Sequence, residues 1–393
     1  MKILFFIYTL SGGGAERVTA TLASHWADKG WDVTIVSVSA GGHDEYEVAP
    51  GVRRIALDMA GKSSSMIAAV RANLRRARAL REVLLQLRPD VAIAVESSAS
   101  ILLSLAARRL HVVTIGSEHS FPPFTPLTAV WNRLRRRAYG KLDAVVALTR
   151  ECADWLRENT SARRIPVIPN PAGWPLVPHV PVVEPSLLCG RGRRILLAAG
   201  RLSPEKNVGM LIEAFAALAA HHPEWDLVIA GEGGERAVLE RQVRAASLEQ
   251  RILFAGRVGN LGDWYGRADL YAMTSRFEGF PNTLVEALAH GVPAVSIDCK
   301  TGPRDIIRHG VDGFLVPPDD MRGLQRALAL LLGDADLRAR LGGRATDART
   351  RFSLEKVSAL WEDLFNECLR DKHCLTRSAR AGTQRIDGAS HEY

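Results

Sequence analysis

Residues 194–207 read RILLAAGRLSPEKN, and this stretch decides the fold of the chain. A short apolar run passes directly into a glycine turn, and two cations, Arg201 and Lys206, follow it. A buried strand that ends in a glycine loop is typical of parallel sheets, whose ligands lie beyond the carboxyl ends of the strands. The stretch therefore predicts an α/β domain with a ligand site at this turn.

The same pattern recurs on both sides of this stretch. Short apolar or β-branched runs alternate with helical stretches, as in doubly wound sheets. One series of strands is predicted at residues 2–8, 31–37, 90–95, 111–115 and 144–147, and a second at 194–199, 226–230, 252–255, 270–273 and 294–297. The expected fold class is α/β, with two doubly wound, Rossmann-like domains facing each other across a cleft.

The two series are separated by a proline-rich stretch, residues 169–192, that has no regular period. With 393 residues the chain is too long for one ordinary core, which also favours two domains. The predicted parts are a first domain over residues 1–178, a linker over 179–192, a second domain over 193–355, a C-terminal helix over 356–370 that packs back on the first domain, and a disordered polar tail over 371–393.

The composition indicates a cytoplasmic protein. The longest apolar run, residues 91–107, contains Glu96 and several serines, so it predicts a strand, a loop and a helix, and not a membrane span. The apolar N-terminus is too short for a secretion signal and lacks a cleavage site. Five scattered cysteines without a CxxC pair argue for a reducing compartment and against zinc or a disulfide framework.

A second stretch with functional potential is residues 275–288, SRFEGFPNTLVEAL. A predicted strand ends near Met273, Glu278 lies in the following loop, and Glu286 lies on a helix that starts just after Pro281. The free N–H groups at a helix N-terminus suit a phosphate, and a carboxylate on that helix could accept hydrogen bonds from a ribose. By spacing alone, two surface glutamates without a role fit as well.

The surrounding residues resemble glycosyltransferase family 4, whose members are retaining enzymes of the GT-B fold. Glu278 and Glu286 resemble its paired-glutamate motif, and residues 289–295, 302–307 and 310–316 resemble its following segments. The resemblance is dense over residues 194–318. It implies that Glu286 binds the nucleotide ribose, that Glu278 lies beside the transferred sugar, and that the donor also contacts Gly279, Phe280, Pro281, Asn282 and Thr283.

The cations after the Gly200 turn suit a leaving diphosphate, which gains negative charge in the transition state. Arg201 can bind it through its planar fork and Lys206 as a point charge, without a metal. The resemblance assigns the same role to both residues. The alternative is a solvated charge cluster at a strand end.

Two further stretches follow strands of the first series. Gly13 and Gly14 belong to a glycine loop that lets a ligand approach the backbone closely, although a plain tight turn would also need them. Arg17 stands where a dinucleotide fingerprint needs a glycine. The resemblance places this loop at the donor phosphate and His119 near the donor sugar as a catalytic residue, whereas a lone histidine is more often structural. Glu118 is a candidate acceptor-side base.

No catalytic metal or cofactor is predicted. The string Asp334-Ala335-Asp336 matches a bare DxD metal motif, but it lies between two helical runs, so helix capping explains it better. The nucleotide sugar would act as co-substrate.

The basic charge belongs to one part of the chain. The first 178 residues hold 23 basic and 15 acidic side chains, whereas the others hold 28 of each. Residues 66–88 predict an amphipathic helix with one apolar stripe, which includes Ile67, Val70 and Leu74. The arginines considered for an anionic membrane surface are Arg71, Arg75, Arg78, Arg135 and Arg136. A solvated face is the alternative, and no nucleic-acid-binding module accompanies the charge.

Together these features predict a retaining, metal-independent glycosyltransferase that uses a UDP- or GDP-sugar. It would move a hexose or N-acetylhexosamine to a glycan or lipid-linked acceptor in cell-surface polysaccharide biosynthesis. We expect it in the cytoplasm, peripherally on the inner face of the membrane. The alternatives are a nucleotide-sugar epimerase of the same architecture and a non-catalytic sugar-nucleotide-binding protein.

Overall fold

The computed structural model describes residues 1–41, 46–61, 65–125 and 127–387, with side chains as far as Cys374. The chain forms two compact units. One consists of Met1–Ile168 together with the C-terminal residues from Val357, and the other of Pro169–Lys356.

The first unit contains a six-stranded sheet in the order β3-β2-β1-β4-β5-β6, with every pair parallel. Its strands are β1 (Lys2–Ile7), β2 (Asp32–Ser37), β3 (Val52–Ala56), β4 (Val91–Val95), β5 (Val113–Glu118) and β6 (Ala144–Ala147). Its helices, apart from the C-terminal one, are α1 (Gly14–Asp28), α2 (Met66–Leu87), α3 (Ser97–Ala106), α4 (Ala129–Tyr139) and α5 (Arg150–Asn159). The sequence did not predict β3, because two arginines interrupt its apolar pattern; Arg54 donates a hydrogen bond to the Ile35 carbonyl of the neighbouring strand.

The second unit repeats this arrangement in the order β12-β11-β10-β7-β8-β9. Its strands are β7 (Arg194–Ala199), β8 (Trp225–Ala230), β9 (Ile252–Gly256), β10 (Leu270–Met273), β11 (Ala294–Ile297) and β12 (Gly313–Val316). Its helices are α6 (Pro185–Leu188), α7 (Val208–Leu218), α8 (Arg236–Ala245), α9 (Leu261–Arg267), α10 (Asn282–Ala289), α11 (Pro303–Ile306), α12 (Met321–Gly333), α13 (Ala335–Ala345) and α14 (Ala348–Arg351). The fully buried strand residues form a core with helices on both faces, as parallel sheets require.

The C-terminal helix α15 (Leu354–Asp387) packs on the first unit. The fully buried Trp26 ring lies 5.2 Å from the Phe365 ring, and its indole N–H donates to Glu362 at 3.0 Å. The helix continues past residue 371, where the sequence predicted a disordered tail. Asp371 forms an ion pair of 2.7 Å with Arg164, and Lys372 one of 3.0 Å with Asp143. These contacts hold residues 371 and 372 against the first unit; residues 388–393 lie outside the described residues.

Candidate active site

The pairing of β7 with β10 brings the two functional stretches of the second unit together. Leu196 lies opposite Leu270 and Leu197 opposite Tyr271, so the loops after both strands leave the same edge of the sheet. The first loop contains a short 3-10 turn, Pro204–Lys206, and the second carries the chain into α10.

At this edge Lys206 and Glu278 form an ion pair. The Lys206 ammonium nitrogen lies 2.6 Å from Glu278 Oε1, and the side chains are 28% and 9% exposed. Ser275 also donates a hydrogen bond of 2.6 Å to the same oxygen. Because two donors hold one oxygen of this mostly buried side chain, the orientation of the Glu278 carboxylate is fixed.

The Glu278 loop is held from behind by residues that follow β11. The Thr301 hydroxyl donates to the Glu278 carbonyl. The next residue, Gly302, has a φ of +97°, and a Cβ there would lie 2.5 Å from a ring carbon of Pro281. Only glycine fits this approach without displacing Pro281.

The turn after β7 is equally tight. Gly200 has a φ of +149°, and a Cβ on Gly231 would lie 1.9 Å from the Gly200 carbonyl oxygen. The backbones of Gly200 and Gly231 thus pass each other closely. The next residue along the chain is Arg201, whose side chain is exposed, and Lys206 follows five residues later. A cavity of about 20 Å³ between the strand ends is lined in part by Gly200, Lys206 and Glu278. It suits a water molecule, so a larger ligand would lie outside it, beside Arg201.

Helix α10 begins at this same edge. Pro281 stands at its N-cap and supplies no side-chain cap to the first turn. Glu286 on this helix is 2% exposed, and its Oε2 accepts a hydrogen bond of 3.1 Å from the Tyr265 hydroxyl. The Tyr271 hydroxyl lies 2.9 Å from the Thr283 hydroxyl, and Asn170 donates to Asn282 at 2.9 Å. The helix start thus offers an orienting positive end with a fixed carboxylate one turn further on.

The second unit therefore brings together the predicted residues Arg201, Lys206, Glu278 and Glu286, and the segment 279–283 between the glutamates. Phe280 in this segment is 7% exposed, with its ring 5.7 Å from the Phe352 ring, so it supports the loop from within. Asp334, from the DxD string, accepts a hydrogen bond of 2.8 Å from the Leu337 amide and caps α13, as the sequence predicted.

The other predicted site residues belong to the first unit. Gly13 is the N-cap of α1, Gly14 is its first residue, and His119 follows β5 directly. His119 Nε2 lies 3.0 Å from the Ser117 hydroxyl, and burial lowers the pKa of the ring to about 4. At neutral pH this histidine is therefore uncharged.

The prediction that Glu118 is an acceptor-side base is not supported by its position. The side chain is 1% exposed, and its Oε1 accepts hydrogen bonds from the Tyr139 hydroxyl and, at 2.6 Å, from Ser97. Burial raises the pKa of Glu118 to about 7. Both faces of β5 are buried, and Ser97 and Tyr139 from the neighbouring helices cover Glu118, which accounts for the difference.

Sequence reasoning missed Glu96, at the end of the neighbouring strand β4. Its backbone is strained, with a φ of +76° and a ψ of 159°, a region that residues other than glycine rarely adopt. Its Oε2 lies 3.3 Å from the Ser120 hydroxyl, and burial, together with the Glu118 carboxylate, raises its pKa to about 8. The signal in the sequence was the position of Glu96 directly after a buried strand, where ligands of parallel sheets bind.

The basic residues of the first unit divide into two groups. Arg71, Arg75 and Arg78 on α2 and Arg136 on α4 are exposed, whereas Arg135 is only 4% exposed and cannot contact a membrane surface. Its guanidinium lies over the Trp155 ring, 4.8 Å from the centroid, which explains its burial.

The predicted apolar stripe of α2 is also only partly correct. Ala77 and Leu84 are buried, but Ile67, Val70 and Leu74 are 68%, 54% and 47% exposed. The first half of the helix therefore exposes apolar side chains beside its arginines. Within the described residues, no helix is both long enough and apolar enough to pass through a bilayer.

Comparisons with known proteins identify the family and the fold. Residues 12–172 match the model of glycosyltransferase family 4, and residues 185–348 match that of group 1 glycosyl transferases. Two solved structures share the fold. Sucrose-phosphate synthase from Thermosynechococcus elongatus has a TM-score of 0.81 at 18% identity, covering 94% of this chain and all of that one. Anabaena HepE, in complex with UDP and glucose, has a TM-score of 0.75 at 20% identity. The match covers 93% of this chain and all of that one.

Three relatives bear on the class of enzyme. A Campylobacter jejuni enzyme named GalNAc-alpha-(1->4)-GalNAc-alpha-(1->3)-diNAcBac-PP-undecaprenol alpha-1,4-N-acetyl-D-galactosaminyltransferase is 30% identical over 93% of this chain and 99% of its own length. The amylovoran biosynthesis glycosyltransferase AmsD of Erwinia amylovora is 27% identical over 93% of this chain and 99% of its own length. An exopolysaccharide phosphotransferase of Streptomyces coelicolor is 32% identical over 80% of this chain, which spans only 31% of that protein.

The two Rossmann-like units and the structural neighbours show the GT-B fold, as the sequence predicted, and the family models and relatives show a glycosyltransferase. The chain belongs to glycosyltransferase family 4.

Proposed function

We propose that this enzyme transfers a hexose or N-acetylhexosamine from a UDP- or GDP-sugar to a glycan or lipid-linked acceptor, with retention of anomeric configuration. The observation that carries the proposal is the Lys206–Glu278 ion pair beside the exposed Arg201 and the start of α10. It places positive charge for a diphosphate next to a carboxylate for the sugar.

The charges at the site suit the departure of a nucleoside diphosphate. Arg201 would bind two phosphate oxygens through its fork, and Lys206 would stabilise the charge that grows on the leaving oxygen. The uncapped first turn of α10, at Asn282 and Thr283, would donate backbone N–H groups. These groups supply the positive charge without a metal ion.

Retention would follow from attack on the face that the diphosphate leaves. The bond from the acceptor oxygen to the anomeric carbon forms as the bond to the phosphate oxygen breaks, and the acceptor hydroxyl proton passes to that leaving oxygen. Glu278 would bind the sugar hydroxyls and orient the ring. Glu286 would accept hydrogen bonds from the ribose hydroxyls, with Tyr265 holding its side chain.

The acceptor class is inferred from the relatives. Their names place one in lipid-linked glycan assembly on a diphosphate-undecaprenol carrier and another in amylovoran biosynthesis. A role in cell-surface polysaccharide assembly, on the cytoplasmic face of the membrane, would be consistent with both. The roles assigned to Gly13, Gly14 and His119 stay predictions.

The exposed face of α2 supports a peripheral membrane contact. Met66, Ile67 and Val70 are 77%, 68% and 54% exposed, and the adjoining Arg71 and Arg75 are exposed as well. Apolar side chains beside arginines on one helical face suit the interface of an anionic bilayer.

The function is tested by incubating the protein with labelled UDP- and GDP-sugars and a membrane extract that contains lipid-linked glycans. Transfer releases nucleoside diphosphate and labels the glycan, and the anomeric configuration of the product is read by NMR. Epimerised nucleotide sugar without release of diphosphate would instead identify an epimerase. Binding without any turnover would identify a sugar-nucleotide-binding protein, and an inverted product would exclude retention.

A further inference from the structure

The first unit contains a groove whose walls are unusually basic. Its volume is about 820 Å³. It is formed by α4, by the second half of α5 and by residues that flank these two helices. Its lining includes Arg133, Arg135, Arg136, Arg137, Trp155 and Ser161. A volume of this size lies within the range of ordinary ligand sites.

One arginine of the lining, Arg135, is buried without full hydrogen bonding. It is 4% exposed, its Nη2 donates to Asn132 Oδ1 at 2.8 Å, and its face lies over Trp155. Its Nη1 is buried and has no hydrogen-bond partner among the described atoms. A buried, unsatisfied guanidinium nitrogen is costly, and an anionic oxygen would satisfy it.

The remaining charge of the groove is also unbalanced. Arg133, Arg136 and Arg137 are exposed on α4, a helix without an acidic residue, and Arg133 lies three and four positions before the other two. Among the side chains that the structure describes, no carboxylate forms a salt bridge with any of the three. Like charges at this spacing repel one another, and an anion between them would relieve the repulsion.

The carboxyl group that acts on Arg135 is Glu118, in the interior of the unit. Burial raises the pKa of Glu118 to about 7, which disfavours the charged form of this carboxyl. Within the described residues no salt bridge joins Glu118 to Arg135, so the interior compensates the charge of Arg135 only in part.

We propose that this groove binds a phosphate or diphosphate group. The planar forks of the arginines match phosphate oxygens two at a time, and Ser161 and Asn132 supply neutral polar groups on the same walls. The group could be carried by a lipid or be free in solution. All lining residues belong to the first unit, whereas the donor residues belong to the second, so the inference does not rest on the proposed transfer.

The experiment measures binding of inorganic diphosphate by calorimetry while excess UDP occupies the donor site. The variant is the triple exchange Arg133→Gln, Arg136→Gln and Arg137→Gln. Its matched control, with the same loss of charge, is Arg71→Gln, Arg75→Gln and Arg78→Gln on α2. The groove variant is expected to bind diphosphate at least 10-fold more weakly, and the control as tightly as the unchanged protein. Absence of binding, or equal weakening in both triples, would overturn the proposal.

Two further measurements keep the result independent of folding and of the donor site. Arg135→Lys keeps the charge but loses the fork, so it should weaken binding several-fold with an unchanged circular dichroism spectrum. Lys206→Ala, in the second unit, should leave diphosphate binding in this groove unchanged; a loss there would assign the binding to the donor site and overturn the proposal.

Whether the bound diphosphate is carried by a lipid or free in solution is determined by comparing the affinities of two ligands. Tighter binding of farnesyl diphosphate than of inorganic diphosphate would support a lipid-borne group, and equal binding a soluble one. Absence of binding of both diphosphates would overturn the proposal. Phosphatidylglycerol vesicles that bind the α2 triple but not the groove triple would then assign the groove arginines to a membrane surface.

Discussion

The Lys206 ammonium nitrogen lies 2.6 Å from Glu278 Oε1, so the cation proposed for the leaving phosphate is paired with the carboxylate proposed for the sugar. A donor placed here would interact with both partners at once. Its phosphate would share Lys206 with Glu278, and as the phosphate gains charge the balance would move toward the phosphate. This pair therefore connects sugar orientation to leaving-group stabilisation.

Lys206→Ala should reduce turnover more than it changes the Michaelis constant for the donor. The charge that Lys206 meets is greatest in the transition state, and removing one such group commonly costs about 10²–10³-fold in kcat. Steady-state kinetics measure the effect, with Lys356→Ala at an exposed position as the control. A change confined to the Michaelis constant would restrict Lys206 to donor binding.

Glu286→Gln should weaken donor binding while preserving the shape of the side chain. A hydrogen bond to a charged acceptor is worth about 1.5–3 kcal/mol, so the dissociation constant should rise about 10- to 150-fold. Titration calorimetry with UDP and GDP provides the measurement. Glu213→Gln on α7 is exposed and serves as the control. Unchanged affinity would remove Glu286 from the donor site.

Activity should survive removal of divalent metal ions. Arg201, Lys206 and the start of α10 supply the positive charge that a metal would otherwise bring to the diphosphate. Protein dialysed against EDTA should retain its rate, and added magnesium or manganese should not raise it. A complete loss that either ion restores would contradict the proposed mechanism.

The stability of the first unit should fall as the pH rises from 6.5 to 8. The pKa of Glu96 is raised from 4.5 to about 8, chiefly by burial, with the Glu118 carboxylate adding to the shift. Over this range the folded chain retains a proton that the unfolded chain has lost, so rising pH favours unfolding. His119, whose pKa is lowered from 6.5 to about 4, acts in the opposite direction, but only below pH 6.5.

The measurement is the urea midpoint at pH 6.5 and at pH 8, followed by a probe in the first unit. Glu96→Gln has no proton to lose and should show a smaller decrease than the unchanged chain. Hydrogen-bonded Ser120 and the more distant Glu16 are the other groups that act on this carboxyl, and both are unchanged in the variant. Equal decreases in both proteins would contradict the assignment.

Much of the fold could be predicted because its strands are short apolar runs separated by helical periods. The edge strands β3 and β12 were not predicted: β3 tolerates Arg53 and Arg54, and β12 is only four residues long. The continuation of α15 was missed for a related reason. Asp371 and Lys372 look like solvated charges in sequence, and only the fold brings Arg164 and Asp143 to them.

The candidate site divides in the same way. Lys206 and Glu278 could be found because each follows a strand that ends at the same sheet edge. The burial of Glu118 and Arg135 could not, because it depends on side chains from distant segments: Ser97 and Tyr139 for one, and Trp155 for the other. Residue type and spacing thus indicate which groups can carry chemistry, and packing decides which of them solvent or ligand can reach.

Liposomes that contain anionic lipid should bind the protein, and neutral liposomes should bind it far less. Arg71, Arg75 and Arg78 are exposed on α2, in line with the exposed side chains of Ile67 and Leu74. Each basic residue near an anionic surface contributes about 1 kcal/mol, so three acting together change the affinity by about 150-fold. Salt should release the protein, because charges are screened beyond about 10 Å at 0.1 M.

Cosedimentation of the triple variant Arg71→Gln, Arg75→Gln and Arg78→Gln is the decisive measurement. It should bind anionic liposomes weakly and UDP normally, since the donor residues lie in the second unit. The control, Arg322→Gln, Arg326→Gln and Arg340→Gln, loses the same charge from exposed positions of that second unit and should bind liposomes as the unchanged chain does. If the two triples lose binding equally, net charge and not the face of α2 attracts the membrane. If neutral and anionic liposomes sediment equal amounts of protein, the arginines of α2 form an ordinary solvated face.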